Sequence, residues 1–257
     1  FPNNLVFYSV ITLICIFRLI LIYNSPLELS VDEAQYWLWS KNFELGFYSK
    51  PPLISWIIHI SDALFGTSEF STRFFSPILH CFTSIILYKT GELLFNINVG
   101  KIAALLWLTL PGVTLGSFLM STDTPLIFFW SIGLLCLIKS TLSEKKFLWL
   151  VWCGIFIGFA FLSKYAAIYF IICLISWLTF SCQWKLYKKI YGFSVFILSF
   201  LIIISPNIIW NFSNNFITFQ HLNDNSGLTN FSFSFYQLFY FLISQLGVFG
   251  PISFICL

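Results

Sequence analysis

Acidic side chains are rare in this sequence: ten Asp and Glu occur in 257 residues, and charged residues of both signs make up only 9%. So little charge excludes an ordinary soluble domain, in which about a quarter of the residues are charged. Cysteine is present but never clustered. Its seven positions, Cys15, Cys81, Cys136, Cys153, Cys173, Cys182 and Cys256, stand singly within or at the ends of apolar segments. None has the close spacing of a metal site or a disulfide framework, so they read as small buried hydrophobes. The 13 Lys and Arg form no dense basic stripe, and no nucleic-acid partner is expected. The first apolar run is too long for a signal-peptide core and has no small-residue cleavage site, so it reads as a retained span. The chain opens at Phe1 and stops inside an apolar run at Leu257, and we expect it to be the N-terminal part of a longer protein.

What the chain has in abundance is apolar surface. Hydrophobic residues make up 58% and the mean hydropathy is +0.88, which predicts an all-α, polytopic membrane protein in contact with the lipid bilayer. The 33 Phe, together with frequent Ile and Asn, suggest an AT-rich genome and mostly lipid-facing filler. About 20 helical residues cross a hydrocarbon core. Runs of that kind are expected at roughly 5–23, 74–95, 102–120, 125–139, 147–163, 165–182, 190–208 and 235–257. The 125–139 run is short, and re-entrant hairpins are expected near 122 and 164, where protein or water must cover the backbone.

Basic residues set the orientation, because they favour cytoplasmic loops. Lys89 and Lys101, then Lys139, Lys145 and Lys146, then Lys185, Lys188 and Lys189 flank three short connections that hold only two acids, Glu92 and Glu144. These alternate with connections holding Asp32, Glu33, Glu44, Asp62, Glu69, Asp123 and Asp224. The N-terminus is therefore expected on the cytoplasmic side. Two long external loops, at about 24–72 and 209–234, then carry the acidic face. In the first, Ser30-Val31-Asp32-Glu33 has the form of a helix capping box and leads into helix-compatible residues 34–39. Pro51-Pro52 starts a second short helix that ends at Gly66. Both are too short to span and suit the interface, where Trp and Tyr are favoured.

Four motifs in order carry a resemblance: Asp32-Glu33-Ala34-Gln35-Tyr36-Trp37, Tyr48-Ser49-Lys50-Pro51-Pro52, Ser121-Thr122-Asp123-Thr124-Pro125 and Ser163-Lys164-Tyr165. With them the chain resembles bacterial glycosyltransferase family 39, related to the protein O-mannosyltransferases and the lipid A aminoarabinose transferases. Trp210-Asn211 and Phe219-Gln220-His221 extend the likeness into the second loop. The resemblance implies a GT-C fold, a multi-span helical bundle with two juxtamembrane helices in its first external loop. It also implies a membrane glycosyltransferase in the bacterial inner membrane. Such an enzyme moves a sugar from a polyprenyl-phosphate donor to a hydroxyl or phosphate acceptor on protein, lipid A or another glycan of the cell envelope, with inversion. The resemblance leaves open a divalent metal ion. In the aminoarabinose branch an acid precedes the Lys-Pro-Pro, whereas Ser49 stands there in this chain.

The chemistry of such a transfer needs a carboxylate near the acceptor as general base and cations around the departing phosphate. Asp32 is the candidate base, although a helix N-terminus also favours an acid there. Glu33 is a second catalytic candidate, at a position that a capping box already explains. Asp123 is a third, placed to position the acceptor or a cation, beside Thr124, which is expected to cap a helix starting at Pro125. Lys50, extended before Pro51, is assigned by the family motif to the donor phosphate. Lys164, between two apolar runs, needs an anionic partner, either that phosphate or Asp123. His221 is a third phosphate-binding candidate, and Tyr36 and Tyr165 are expected to support the site. His59 and His80 read as structural, and the sequons at Asn211 and Asn230 as chance. The competing reading is a transporter or lipid flippase using the same charges as an ion pathway. Transporters place polar residues near the bilayer midplane and often contain repeats; here only Arg18 is a clear charge within a span.

Overall fold

The computed structural model describes residues 3–180, 185–218, 220, 221 and 234–250, and among these every element is helical. In chain order they are α1 (Asn4–Tyr23), α2 (Val31–Ser40), α3 (Leu53–Phe65), α4 (Glu69–Arg73), α5 (Phe75–Leu94), α6 (Ile97–Thr109), α7 (Pro111–Gly116), α8 (Asp123–Leu142), α9 (Lys146–Ser163), a 3-10 turn (Tyr165–Ala167) running into α10 (Ile168–Phe180), α11 (Leu186–Ser213) and α12 (Phe235–Phe249). Among the described residues, five helical stretches are long and apolar enough to cross a membrane: α1, α4 with α5, α8, α9 and α11. The apolar helices α6, α10 and α12 are shorter.

Two expected elements differ. The run at 125–139 is part of a 20-residue helix, because α8 starts at Asp123 and ends at Leu142. The run at 102–120 is broken instead. Leu110 turns extended (φ −56°, ψ 131°) before Pro111, as the proline ring requires of its predecessor. The break frees the Leu108 carbonyl, which accepts from Arg18 Nη2 at 2.5 Å and from Thr114 Oγ1 at 3.2 Å. Arg18, the charge within α1, is thus buried for the sake of a broken helix, since an unpaired carbonyl in a dry interior costs as much as a lost hydrogen bond. A second proline, Pro206, lies inside α11. It cannot donate to the Ile202 carbonyl, and Ser205 Oγ does so at 2.8 Å.

The core is a three-helix layer of α8, α9 and α11 around Cys136, Cys153, Ile157, Phe196, Phe200 and Ile204. A second cluster joins α1, α5 and α6 through Phe7, Ile11, Cys81, Tyr88, Ala104 and Leu108. Cys173, by contrast with the expectation for cysteines, is exposed on α10, while Cys182 and Cys256 lie outside the described residues. Small residues set helix spacing in membranes, where packing rather than the hydrophobic effect drives association. Gly154 is the closest such contact. A Cβ there would meet the Phe196 carbonyl oxygen at 2.4 Å and would overlap Ser199 Oγ.

Gly154→Val should therefore force α9 away from α11 and destabilise the protein by about 3 kcal/mol, the upper range for overpacking. A clear fall in the thermal midpoint of the detergent-solubilised protein checks this; an unchanged midpoint would show that the interface gives way without cost.

Candidate active site

Helix α2 forms as its capping box demands. The Ser30 hydroxyl accepts from the Glu33 N–H at 3.4 Å, and Glu33 Oε2 accepts from the Ser30 N–H at 3.0 Å. This fixes the first turn and decides what its two acids do. Asp32 faces solvent, whereas Glu33 is 1% exposed. Both Glu33 oxygens are occupied: Oε1 accepts from Arg73 Nε at 2.8 Å and the Met120 N–H at 3.0 Å, and Oε2 accepts from Arg73 Nη2 at 2.8 Å. Arg73 also donates from Nη1 to the Leu27 carbonyl and from Nη2 to the Glu28 carbonyl, each at 2.8 Å. Burial pushes the Glu33 carboxyl up, but the Arg73, Met120 and Ser30 donors outweigh it and hold it below the usual glutamate range. A carboxylate so enclosed has no lone pair turned to a substrate. Glu33, a catalytic candidate by sequence, is here the anchor of the loop that presents Asp32.

Tyr36, one turn beyond Asp32, is buried on the same helix and its ring packs into a small core with Ile54, Ile58 and Met120. Its hydroxyl faces the Thr122 side chain. Burial first, then the charges of Asp32 and Asp123, push its pKa up to about 12. Tyr36 thus stays a neutral hydroxyl in the field of both acids. Asp123 opens α8 at its N-terminus, exposed, and Lys164 Nζ lies 2.7 Å from its Oδ1. The expected cap does not form: α8 begins at Asp123 rather than Pro125, and Thr124 Oγ1 lies 3.5 Å from both Ser121 Oγ and His80 Nε2. Lys164 has an extended backbone between α9 and the following 3-10 turn, which lets it reach across to the α8 terminus. Three stretches far apart in sequence, 32–36, 122–123 and 164, thus meet at one end of the bundle.

Lys50 sits in a tight turn after Phe47, whose N–H donates to the Lys50 carbonyl at 3.1 Å and whose ring stacks on Trp39 of α2. Its side chain is half-buried. The Tyr48 and His221 rings lie 4.5 Å apart, so the structure joins the His221 loop to the Lys50 loop. Tyr165 donates to Asn207 Oδ1 at 3.0 Å and supports that loop rather than Lys164. His59 Nδ1 lies 2.8 Å from the Ser40 carbonyl oxygen, and His80 is buried, as expected of structural histidines. Asn211 is 2% exposed, and Asn230 lies outside the described residues. Among the described residues no three His, Cys, Asp or Glu come together as a metal-ligand group. Asp32 and Asp123 form a two-carboxylate set, one of them tied to Lys164.

Residues 49–210 match the model of the family described as dolichyl-phosphate-mannose-protein mannosyltransferase. The chain belongs to that family. The match includes Lys50, Asp123 and Lys164, with Asp32 upstream of it. Among individual relatives, the chain is 32% identical over 244 residues to a protein of Rhizobium johnstonii named lipid A galacturonosyltransferase RgtD, covering 93% of this chain and 50% of the relative. It is 25% identical over 159 residues to undecaprenyl phosphate-alpha-4-amino-4-deoxy-L-arabinose arabinosyl transferase 2 of Proteus mirabilis, covering 55% of this chain and 28% of that one. The crystal structure of ArnT from Cupriavidus metallidurans bound to undecaprenyl phosphate superposes with a TM-score of 0.79 at 19% identity, over 98% of this chain and 49% of that one. The chain thus has the GT-C bundle with two juxtamembrane helices, and it spans at most about half the length of these relatives.

Arg73, the family member's clamp on Glu33, escaped sequence reasoning. A signal existed, since the chain has two arginines among its 13 basic residues, and both are buried, where a planar multidentate donor outperforms lysine.

The Glu33–Arg73 pair makes stability depend on pH. An unfolded glutamate titrates near 4.5 and the folded one lower, so the pair's contribution is complete above about pH 4.5 and is lost as pH falls through the folded value. Glu33→Gln should cost about 3 to 5 kcal/mol at neutral pH by leaving Arg73 without its charge partner. It should also flatten the acid limb of a thermal-midpoint profile. An acid limb unchanged in the variant would show that other groups set it.

Proposed function

We propose that this chain forms the catalytic half of a membrane glycosyltransferase that moves a sugar from a polyprenyl-phosphate donor to a hydroxyl on an envelope acceptor. The observation that carries this reading is the meeting of Asp32, Tyr36, Asp123 and Lys164 at one end of an apolar bundle, with the Lys50 loop tied to α2 through the Phe47–Trp39 stack. The basic connections cluster at Lys89 to Lys101, Lys139 to Lys146 and Lys185 to Lys189, which supports a bacterial inner-membrane protein with the acidic end facing the periplasm. A relative named for lipid A galacturonosyl transfer and a structural neighbour solved with undecaprenyl phosphate favour lipid A as acceptor and a polyprenyl phosphate as carrier.

In this reading Asp32 is the general base. It is a solvent-facing carboxylate on the first turn of a helix held rigidly from below by Glu33. The acceptor hydroxyl passes its proton to an Asp32 carboxylate oxygen as its own oxygen bonds to the anomeric carbon. The bond from that carbon to the phosphate oxygen breaks, its electron pair stays on the phosphate, and polyprenyl phosphate leaves with inversion. Lys50 and the half-exposed Lys164 ammonium stabilise the charge on the leaving phosphate. Asp123 holds Lys164 in place and, with the neutral Tyr36 hydroxyl, orients the acceptor. A divalent cation, if bound, would draw on Asp32 and Asp123 and would add Lewis-acid stabilisation of the phosphate.

Asp32→Asn in the full-length protein should lower transfer of radiolabelled sugar from undecaprenyl-phosphate donors to lipid A by at least about 100-fold, the lower range for general-base loss, with donor binding nearly intact. Lys50→Ala should chiefly weaken donor binding. Normal turnover in both variants would sink the assignment and turn attention to ion-flux assays.

A further inference from the structure

Lys50 lies on a turn that is gripped from three sides, and none of the gripping groups belongs to its own motif. The Phe47 N–H closes the turn on the Lys50 carbonyl at 3.1 Å. The Phe47 carbonyl in turn accepts from Thr218 Oγ1 at 2.9 Å, a contact 171 residues apart in sequence. The Phe47 ring stacks on Trp39 of α2, with centroids 4.8 Å apart and planes 9° from parallel. Two residues earlier, the Leu45 carbonyl accepts from Asn207 Nδ2 at 2.8 Å. Between them, Gly46 lies flat against Trp210, where a Cβ would fall 2.4 Å from the indole ring. Asn207 and Thr218 are 2% and 0% exposed, so neither touches the membrane surface where a donor would lie.

Such a strap has a physical purpose beyond folding. A lysine ammonium is a compact charge on a flexible stem, and its use for a phosphate depends on how well the backbone beneath it is fixed. Backbone carbonyls 45 and 47 are bonded by side chains from the end of α11 and the segment after it. That segment also brings His221 to Tyr48. Through Phe47 and Trp39 the same strap reaches the helix that bears Asp32. We infer that Thr218 and Asn207 are positioning residues for Lys50, so that the C-terminal part of α11 and the residues just after it set the affinity for the phosphate of the donor. This inference rests on the proposed function.

The test uses the full-length protein with Thr218→Val, which keeps the shape but removes the hydroxyl donor, Thr218→Ser, which restores it, Lys50→Ala, and the Lys50→Ala/Thr218→Val double variant. Asn207→Ala cuts the strap at a second point. Loss of one such hydrogen bond corresponds to about a 5-fold effect. Thr218→Val and Asn207→Ala should each raise the donor KM by about that factor with kcat nearly unchanged, and Thr218→Ser should return it to the wild-type value. Adding Thr218→Val to Lys50→Ala should raise KM no further. Binding of undecaprenyl phosphate to the purified protein should weaken by the same factor and with the same dependence on Lys50. An undiminished effect of Thr218→Val without Lys50, or a loss confined to kcat or thermal stability, overturns the inference while leaving the transferase reading intact. Wild-type protein that binds undecaprenyl phosphate but transfers no sugar overturns the transferase reading, with the positioning role still decided by the binding series. Failure of wild-type protein to bind undecaprenyl phosphate overturns both.

Discussion

The Glu33–Arg73 pair at 2.8 Å is the contact on which the reactive end of this bundle depends. It brings α2, the end of α4, the segment at Leu27 and Glu28, and the Met120 backbone to one buried point. Two charges removed from water cost several kcal/mol each, and the cost is recovered only when every remaining donor and acceptor is satisfied. Here that condition is nearly met, because the carboxylate accepts four hydrogen bonds and the guanidinium donates four. The consequence is geometric. With Glu33 locked inward, the adjacent Asp32 has no choice but to face outward, and Tyr36 one turn on is pressed inward toward Met120 and Thr122.

The second organising constraint is the treatment of backbone carbonyls freed by proline in apolar helices. Pro111 and Pro206 each remove a backbone donor, and each freed carbonyl region finds a side-chain partner: Arg18 and Thr114 at Leu108, Ser205 at Ile202. The break at Pro111 shortens the span and lets the chain turn back through residues 117–122 to deliver Met120 to Glu33 and Asp123 to Lys164. The polar residue within α1 is therefore part of the scaffold, which weakens the case for an intramembrane ion pathway. The one charge that pointed to transport is engaged with a helix end.

The candidate residues are held in two ways. Asp32 and Tyr36 stand on α2, fixed by its capping box and the buried ion pair, and Asp123 opens α8 in a salt bridge with Lys164. Lys50 stands on a turn held by side-chain bonds to the backbone carbonyls of Leu45 and Phe47, and His221 meets it through a ring contact with Tyr48.

Much of this was legible in the sequence. The scarcity of charge and the length of the apolar runs determined a helical membrane protein, because an apolar helix satisfies its own backbone and needs no knowledge of its neighbours. The capping box at Ser30 and Glu33, the short helix from Leu53 to Phe65 and the ordered motifs at Asp32, Lys50, Asp123 and Lys164 are equally local. Only the tertiary structure decided which acid of the Asp32-Glu33 pair is exposed, since that depends on Arg73 arriving from 40 residues away. It alone decided that Lys164 belongs to Asp123 and that Lys50 is held from Asn207 and Thr218. Spacing along a chain encodes helices and turns. Pairing between side chains from distant segments depends on how the helices pack, and that is set by glycine contacts, proline breaks and buried hydrogen bonds summed over the whole bundle.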